Sequence, residues 1–271
     1  MTRLGILAGS SFLGEDLALD AALETVSTPH GPVPLLVGET FVFLPRHGPG
    51  MLASPAGSAG RAHGGAPTGG PEAGGYRPPH RIPHHAHALA LAALGVRRAV
   101  GLYSVGGLRP DFVPGTVVIP DDYLSLHPPP TFVEDERRHL VPVLDPGLRA
   151  RLSRLALRTD AVVRDGGVYA ETRGPRFETR AEVRFLGHYA HVVGMTGASE
   201  ATLLQEQDIA FAMLAIVDNL AHGVGASPLS MEAYEERRQA NGTLARSLFR
   251  GVVDAASSLA VDLPATGEAG E

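Results

Sequence analysis

Four segments of this chain run from apolar residues into small or polar ones at what read as strand ends. They are Ser10-Ser11 after "RLGILAG", Arg46-His47 after "TFVFLP", Ser104 after "AVGLY", and Met195-Thr196 after "HVVG". In an open α/β sheet, ligands bind beyond the carboxyl ends of the strands. A guanidinium, an imidazole, hydroxyls and Gly-rich backbone amides collected there form a pocket for an oxyanion such as phosphate. Small turn residues would explain any one of these ends; the four together favour the oxyanion. A fifth apolar run, "MLAIV", ends on Asp218-Asn219. Neighbours on a strand face opposite ways, so only one of the two can enter a pocket.

These ends need a sheet to position them, and the pattern supplies one. Strands are predicted at "RLGILA", "TFVFLP", "RRAVGLYSV", "PGTVVIPDDYL", "HVVGMT" and "MLAIV". Helices are predicted at "HHAHALALAALG", closed by Gly95, at "DPGLRARLSRLALRT" with Pro146 near its start, at "RFETRAEVRFLGHY" and at "SEATLLQEQ". Strands alternating with helices predict an α/β fold with a mostly covered mixed β-sheet flanked by helices. One domain is expected over 1–261. It is interrupted by a flexible Gly/Ala/Pro-rich insert at about 49–77 and followed by a disordered tail over 262–271.

Composition removes several chemistries. The chain has 271 residues, no Cys and no Trp, and every basic residue is Arg. Cysteine nucleophiles, thiolate metal sites, a Walker lysine and Schiff-base catalysis are therefore excluded. The net charge of −6 offers no basic field for nucleic acid. No apolar run is long enough to span a membrane, and the opening "MTRLGILAGSS" has too short an apolar core for a secretory signal. A cytoplasmic protein is expected. "LYSVG" is similar to a nucleophile elbow but has Leu102 where that motif requires Gly, and the Gly spacing of "AGSSFLG" is wrong for a dinucleotide loop.

The segments "ILAGSS", "RHG", "PPHRI", "SVGGLRPDFVPGTVVIPDDYL", "GPRFETRAE", "VVGMTGASE" and "DNLAHGVGASPLS" resemble, in order, the trimeric purine nucleoside phosphorylase and methylthioadenosine phosphorylase family. The resemblance covers nearly the whole chain outside the insert and tail. It implies a nucleoside-phosphorylase fold, a homotrimer, and cleavage of an N-glycosidic bond by inorganic phosphate as co-substrate, with no cofactor or metal. Such a reaction rests on positioning and electrostatics rather than on a covalent nucleophile. Carried over by position, Ser10, Arg46, His47, Ser104 and Thr196 would bind phosphate, Arg46 offering its fork to two oxygens. Ser104 stands where relatives carry Ala, the backbone amide being the binding group. Met195 would lie beneath the ribose, Phe177 beside the purine, and Glu178 and Asn219 on its edge.

The base-reading pair selects a purine. A carboxylate at Glu178 accepts from the N1–H of a 6-oxopurine but faces a lone pair on adenine, a mismatch of roughly 1–3 kcal/mol. Asn219 can donate to O6 and accept from a protonated N7; adenine-selective relatives carry Asp at that position. If Asp218 faced inward instead, adenine would return. At the sugar end, relatives acting on ordinary nucleosides carry a His that bonds the 5′-hydroxyl, and Met231 occupies that slot here. A 5′-methylthio group would gain about 0.8 kcal/mol per buried carbon. The expected substrate is therefore 5′-methylthioinosine, with inosine or guanosine next and methylthioadenosine third. His139 matches a position that reaches a neighbouring subunit's 5′ pocket.

Two features depart from the family. After "PPHRI" the usual Asn-Tyr is replaced by Pro83-His84, putting His84 where a Tyr near the sugar is expected. Four His between 80 and 87 suggest a metal, but no nearby carboxylate or Cys completes a ligand set. Glu182 and Glu200 are expected to cap or brace helices, with support of the site as the second reading. An inactive homologue that binds nucleoside or phosphate is the non-enzyme alternative.

Overall fold

The computed structural model describes residues 2–12, 19–48, 75–134, 139–225 and 230–261. Its strands form one mixed sheet of 11. Along the main path lie β2 (Ala21–Thr28), β3 (Gly31–Gly38), β4 (Phe41–Pro45), β1 (Leu4–Ala8), β5 (Arg98–Gly107), β10 (Val192–Gly194), β9 (Val168–Glu171) and β7 (Asp122–Ser125). A branch starts at β11 (Ala210–Leu220), which pairs along β5 and carries β6 (Val117–Ile119) and then β8 (Val163–Asp165).

The centre of this sheet is parallel, and its register sets the site. Ala8 lies opposite both Pro45 and Leu102, and Leu102 lies opposite Leu214. The chain segments after β1 and β4, and the last residues of β5 and β11, therefore emerge on one edge. The side chains of β5 and β11 alternate between two buried layers, as a sheet covered on both faces requires. Tyr103, Val105, Met213 and Val217 pack with α1 (His84–Ala93) and α4 (Gly197–Glu206). Leu102, Leu214 and Ile216 pack with α2 (Pro146–Ala156), α6 (Gly242–Asp254) and α7 (Ala256–Leu259). Among the described residues, no helix is long and apolar enough to cross a membrane.

Most predicted elements are present, with three differences. Pro120 divides "PGTVVIPDDYL" into β6 and β7. The helix predicted from Arg176 starts only at Arg180 and ends at Leu186, as α3. Thr179 caps it: the Glu182 N–H donates to Thr179 Oγ1 at 3.2 Å, and the Thr179 N–H donates back to Glu182 at 2.7 Å. Phe177 and Glu178 are thereby released from the helix into the loop before it. The hairpin β2–β3, strands β8 and β9, and the carboxyl-terminal helices α5 (Met231–Ala240), α6 and α7 were not expected from the pattern. The predicted insert lies outside the described residues as far as 74, and the predicted tail lies wholly outside them.

Candidate active site

The strand ends converge on a cleft of about 530 Å³. Arg46, His47, Ser104, Phe177, Glu178, Met195, Thr196, Asn219 and Met231 all line it. Ser10 opens the single 3-10 turn Ser10–Phe12 at its rim, between the lining residues Gly9 and Ser11. His139 is exposed and is not among the residues lining this chain's own cleft.

Arg46 leaves β4 and turns inward, where it is only 2 % exposed. Its Nε donates to Glu200 Oε1 at 2.5 Å and its Nη2 to Oε2 at 2.9 Å. Nη2 also donates to the Leu7 carbonyl at 3.2 Å, and Nη1 to the Leu102 carbonyl at 3.0 Å. Four of the five guanidinium N–H groups are thus engaged within the protein. The expectation that the fork grips two phosphate oxygens is corrected: Glu200 holds the fork, and one N–H on Nη1 remains for the cleft. Burial opposes the charge on Arg46, but Glu200 outweighs it and the net pKa shift is upward. Tyr103 completes the arrangement, its hydroxyl donating to Glu200 Oε2 at 2.5 Å and its ring lying 4.5 Å from the guanidinium carbon. Glu200 is therefore a brace for Arg46 rather than for its helix.

His47 stands beside Arg46. Its Nδ1–H donates to the Arg77 carbonyl at 2.8 Å, and the Arg77 N–H donates to the His47 carbonyl at 2.7 Å. Burial pushes its pKa down to about 4, with Arg46 contributing in the same direction. The imidazole is then neutral near pH 7, with an acceptor lone pair at Nε2. Arg46 Nη1 and His47 Nε2 converge on Gly9. A Cβ at that position would lie 3.7 Å from the former and 3.5 Å from the latter. Tyr76 stacks on His47 with centroids 4.8 Å apart, so residues 75–77, expected to belong to the insert, form part of the site.

Thr196 precedes α4, and its hydroxyl makes no capping bond. The first turn of α4 already holds an internal anion, because the Ser199 N–H donates to Glu171 Oε2 at 2.9 Å. His127 lies 3.2 Å from the other oxygen of Glu171, and that contact raises the His127 pKa. Met195 packs under the cleft against Gly174, whose φ is +62°. A Cβ on Gly174 would lie 2.6 Å from the Met195 sulfur, so both the backbone and the space require glycine.

At the base end, Thr172 Oγ1 donates to Glu178 Oε1 at 2.5 Å, which restrains the carboxylate. Thr172 is a site residue that the sequence reading missed. Asn219 lines the cleft, with one amide N–H donated to the Leu220 carbonyl at 2.8 Å. Asp218 does not line the cleft. It is 2 % exposed, and burial raises its pKa against the hydrogen bonds from Asn241 and Ser104. At the other end, Met231 opens α5 and is 56 % exposed, while Tyr234 stands deeper, with its ring 5.7 Å from that of Phe177.

His84 differs from expectation. It lines a separate side cavity of about 210 Å³, with Pro79, His80, His127 and Glu171, rather than the main cleft. His84 is the first residue of α1, and Met195 lines the same side cavity. His80, His84 and His87 each keep a buried Nδ1 without a hydrogen-bond partner. Among the described residues, no group of three or more His, Asp or Glu is arranged to hold a metal ion.

The model of the phosphorylase superfamily matches residues 3–254, and the chain belongs to that family. A probable 6-oxopurine nucleoside phosphorylase of Archaeoglobus fulgidus is 31% identical over 88% of this chain and 90% of its own. A probable S-methyl-5′-thioinosine phosphorylase of Methanothermobacter thermautotrophicus is 34% identical over 84% of this chain and 75% of its own. The crystal structure of a methylthioadenosine phosphorylase from an antarctic soil metagenomic library superposes with a TM-score of 0.76 at 25% identity. It covers 95% of this chain and 87% of that one.

Proposed function

We propose that this phosphorylase takes 5′-methylthioinosine as its preferred substrate, with inosine and guanosine as the second reading and methylthioadenosine as the third. The reaction class is phosphorolysis of a purine nucleoside, giving the free base and a sugar 1-phosphate. The reading adds inorganic phosphate as co-substrate, no cofactor or metal, a homotrimer in which His139 reaches the neighbouring subunit, and a cytoplasmic setting.

The observation that carries the base preference is that Glu178, fixed by Thr172, and Asn219 line the same cleft, while Asp218 is turned away from it. A 6-oxopurine offers N1–H to the carboxylate and O6 to the amide. A protonated N7 on the leaving base would find the Asn219 carbonyl. Adenine would set a lone pair against Glu178, at roughly 1–3 kcal/mol. At the sugar end, Met231, Tyr234 and Phe177 give a 5′-methylthio group apolar and polarisable neighbours.

In the transition state the sugar becomes cation-like between departing base and entering phosphate. The chain's contribution is to hold both in line and to exclude water. The remaining Arg46 N–H would donate to a phosphate oxygen. Neutral His47 would accept a hydrogen bond at Nε2 from the P–OH of monohydrogen phosphate.

Initial rates on 5′-methylthioinosine, inosine, guanosine and methylthioadenosine, with and without phosphate, test the reading. Phosphate-dependent release of hypoxanthine, fastest from the methylthio substrate, is expected. A strong preference for methylthioadenosine would refute the base argument, and no turnover of any purine nucleoside would leave a binding homologue.

A further inference from the structure

Strand β11 does not run straight to its tip. Its register along β5 pairs Val217 with Val105 and then Asn219 with Gly106, so Asp218 is an extra residue in a β-bulge. Bulges re-aim side chains and are held only where the surroundings fix them. Here the surroundings are specific. One carboxylate oxygen of Asp218 accepts from Asn241 Nδ2 at 2.7 Å, and the same Nδ2 donates to the Val217 carbonyl at 3.1 Å. The other oxygen accepts from the Ser104 hydroxyl. Asn241 lies in the junction between α5 and α6, so the bulge is tied to the carboxyl-terminal helices. Ser104 lies on β5 and lines the cleft, and the Tyr234 hydroxyl faces it from α5.

We propose that Asp218 is a positioning residue that couples the two ends of the cleft. Its Asn241 bond sets the bulge that turns Asn219 toward the base, and its Ser104 bond sets the β5 segment that meets phosphate. Asp218 touches neither co-substrate. Straightening the bulge would shift the alternation by one residue and turn Asn219 out of the cleft. Loss of the carboxylate therefore disturbs base and phosphate together, whereas loss of Asn219 disturbs the base alone. This inference rests on the assignment of Asn219 to the base and of the Ser104 segment to phosphate.

The test compares Asp218→Ala, Asp218→Asn, Ser104→Ala and Asn219→Ala in the full chain. It measures kcat, KM for inorganic phosphate and KM for 5′-methylthioinosine or inosine, whichever turns over faster. Asp218→Ala should lower kcat/KM for both co-substrates, by about tenfold to a hundredfold. Asp218→Asn keeps an acceptor for Asn241 and offers an N–H to the Ser104 oxygen, so it should recover most of that loss. Should Asp218→Ala fail to fold, Ser104→Ala removes one grip alone and should raise the phosphate KM severalfold. Asn219→Ala tests the underlying assignment separately: it should impair the nucleoside and leave the phosphate KM in place, and an unchanged nucleoside response would remove the base reader. Asp218→Ala that moves only one co-substrate, or only the melting temperature, would overturn the coupling. So would Ser104→Ala with both KM values unchanged.

Discussion

Arg46 and Glu200, 154 residues apart, meet through two hydrogen bonds of 2.5 and 2.9 Å, with both side chains almost wholly buried. Removing one member of a buried pair leaves the other charge uncompensated, at about 3–5 kcal/mol. Glu200→Gln is therefore expected to destabilise the fold in that range, measured by urea unfolding at neutral pH. It should also raise the phosphate KM, because a guanidinium without its carboxylate loses the aim of its one remaining N–H. An unfolding midpoint unchanged by Glu200→Gln would mean that the pair does not hold Arg46.

His47 gives a pH prediction with a definite sign. Its folded pKa of about 4 lies below the ordinary 6.5. Between those values the unfolded chain takes up a proton that the folded one refuses, so stability falls as pH drops from about 6.5 toward about 4. Above that window His47 contributes no slope. Bound phosphate places negative charge beside the ring and should move the folded pKa upward. Titration of the histidine ring signals by NMR, with His47→Asn to assign the resonance, should show a midpoint near 4 that rises with phosphate. A free-state midpoint near 6.5 would contradict the burial that lowers this pKa.

Much of this arrangement was readable from the chain because strand ends are written in composition. Apolar runs broke into Gly, Ser, Arg and His after β1 and β4, and parallel pairing of β1 with β4 and β5 brought those ends to one edge, whereas β5 runs past Ser104 to Gly107 and β10 reaches the site antiparallel to it. What escaped the sequence was the partner of each side chain. Nothing local tells Arg46 that its fork belongs to Glu200, since that pairing needs α4 seated on the sheet. The bulge at Asp218 was equally hidden, because strict alternation is the default reading of any strand. Thr172 had no signal beyond lying six residues before Glu178. The late start of α3, by contrast, was available: Thr179 and Glu182 spell a capping box, and reading it would have put Phe177 and Glu178 in the loop.

Gly174 supports Met195 through shape alone. With φ at +62° and the Met195 sulfur 2.6 Å from where a Cβ would stand, Gly174→Ala must strain the backbone and displace the methionine. The left-handed conformation itself costs an L-residue about 1–2 kcal/mol. Because Met195 lines the cleft, the expected signature is a loss of kcat/KM for the nucleoside with a modest drop in melting temperature. Met195→Ala in the same background would relieve the clash but not the backbone strain, so the double variant should regain only part of the melting temperature and not the full rate. A Gly174→Ala enzyme with wild-type kinetics would show that Met195 is free to move without consequence.

Thr172 and Glu178 carry the proposed choice between purines. The Thr172 hydroxyl takes one oxygen of the carboxylate and leaves the second without that donor, and Glu178 and Asn219 line the same cleft. Thr172→Val keeps the shape and removes the donor, so the carboxylate gains rotational freedom; kcat/KM for a 6-oxopurine nucleoside should fall about tenfold. Glu178→Gln changes the chemistry instead: its amide can donate to the N1 lone pair of a 6-aminopurine as well as accept from N1–H. The ratio of inosine to adenosine turnover, or of the matching methylthio nucleosides, should then shift toward the amino base, and Asn219→Asp should push it further the same way. Both variants need only the rates of base release on the two substrates. A ratio that stays with the 6-oxopurine in Glu178→Gln and in the double variant would place the purine edge somewhere other than between these two side chains.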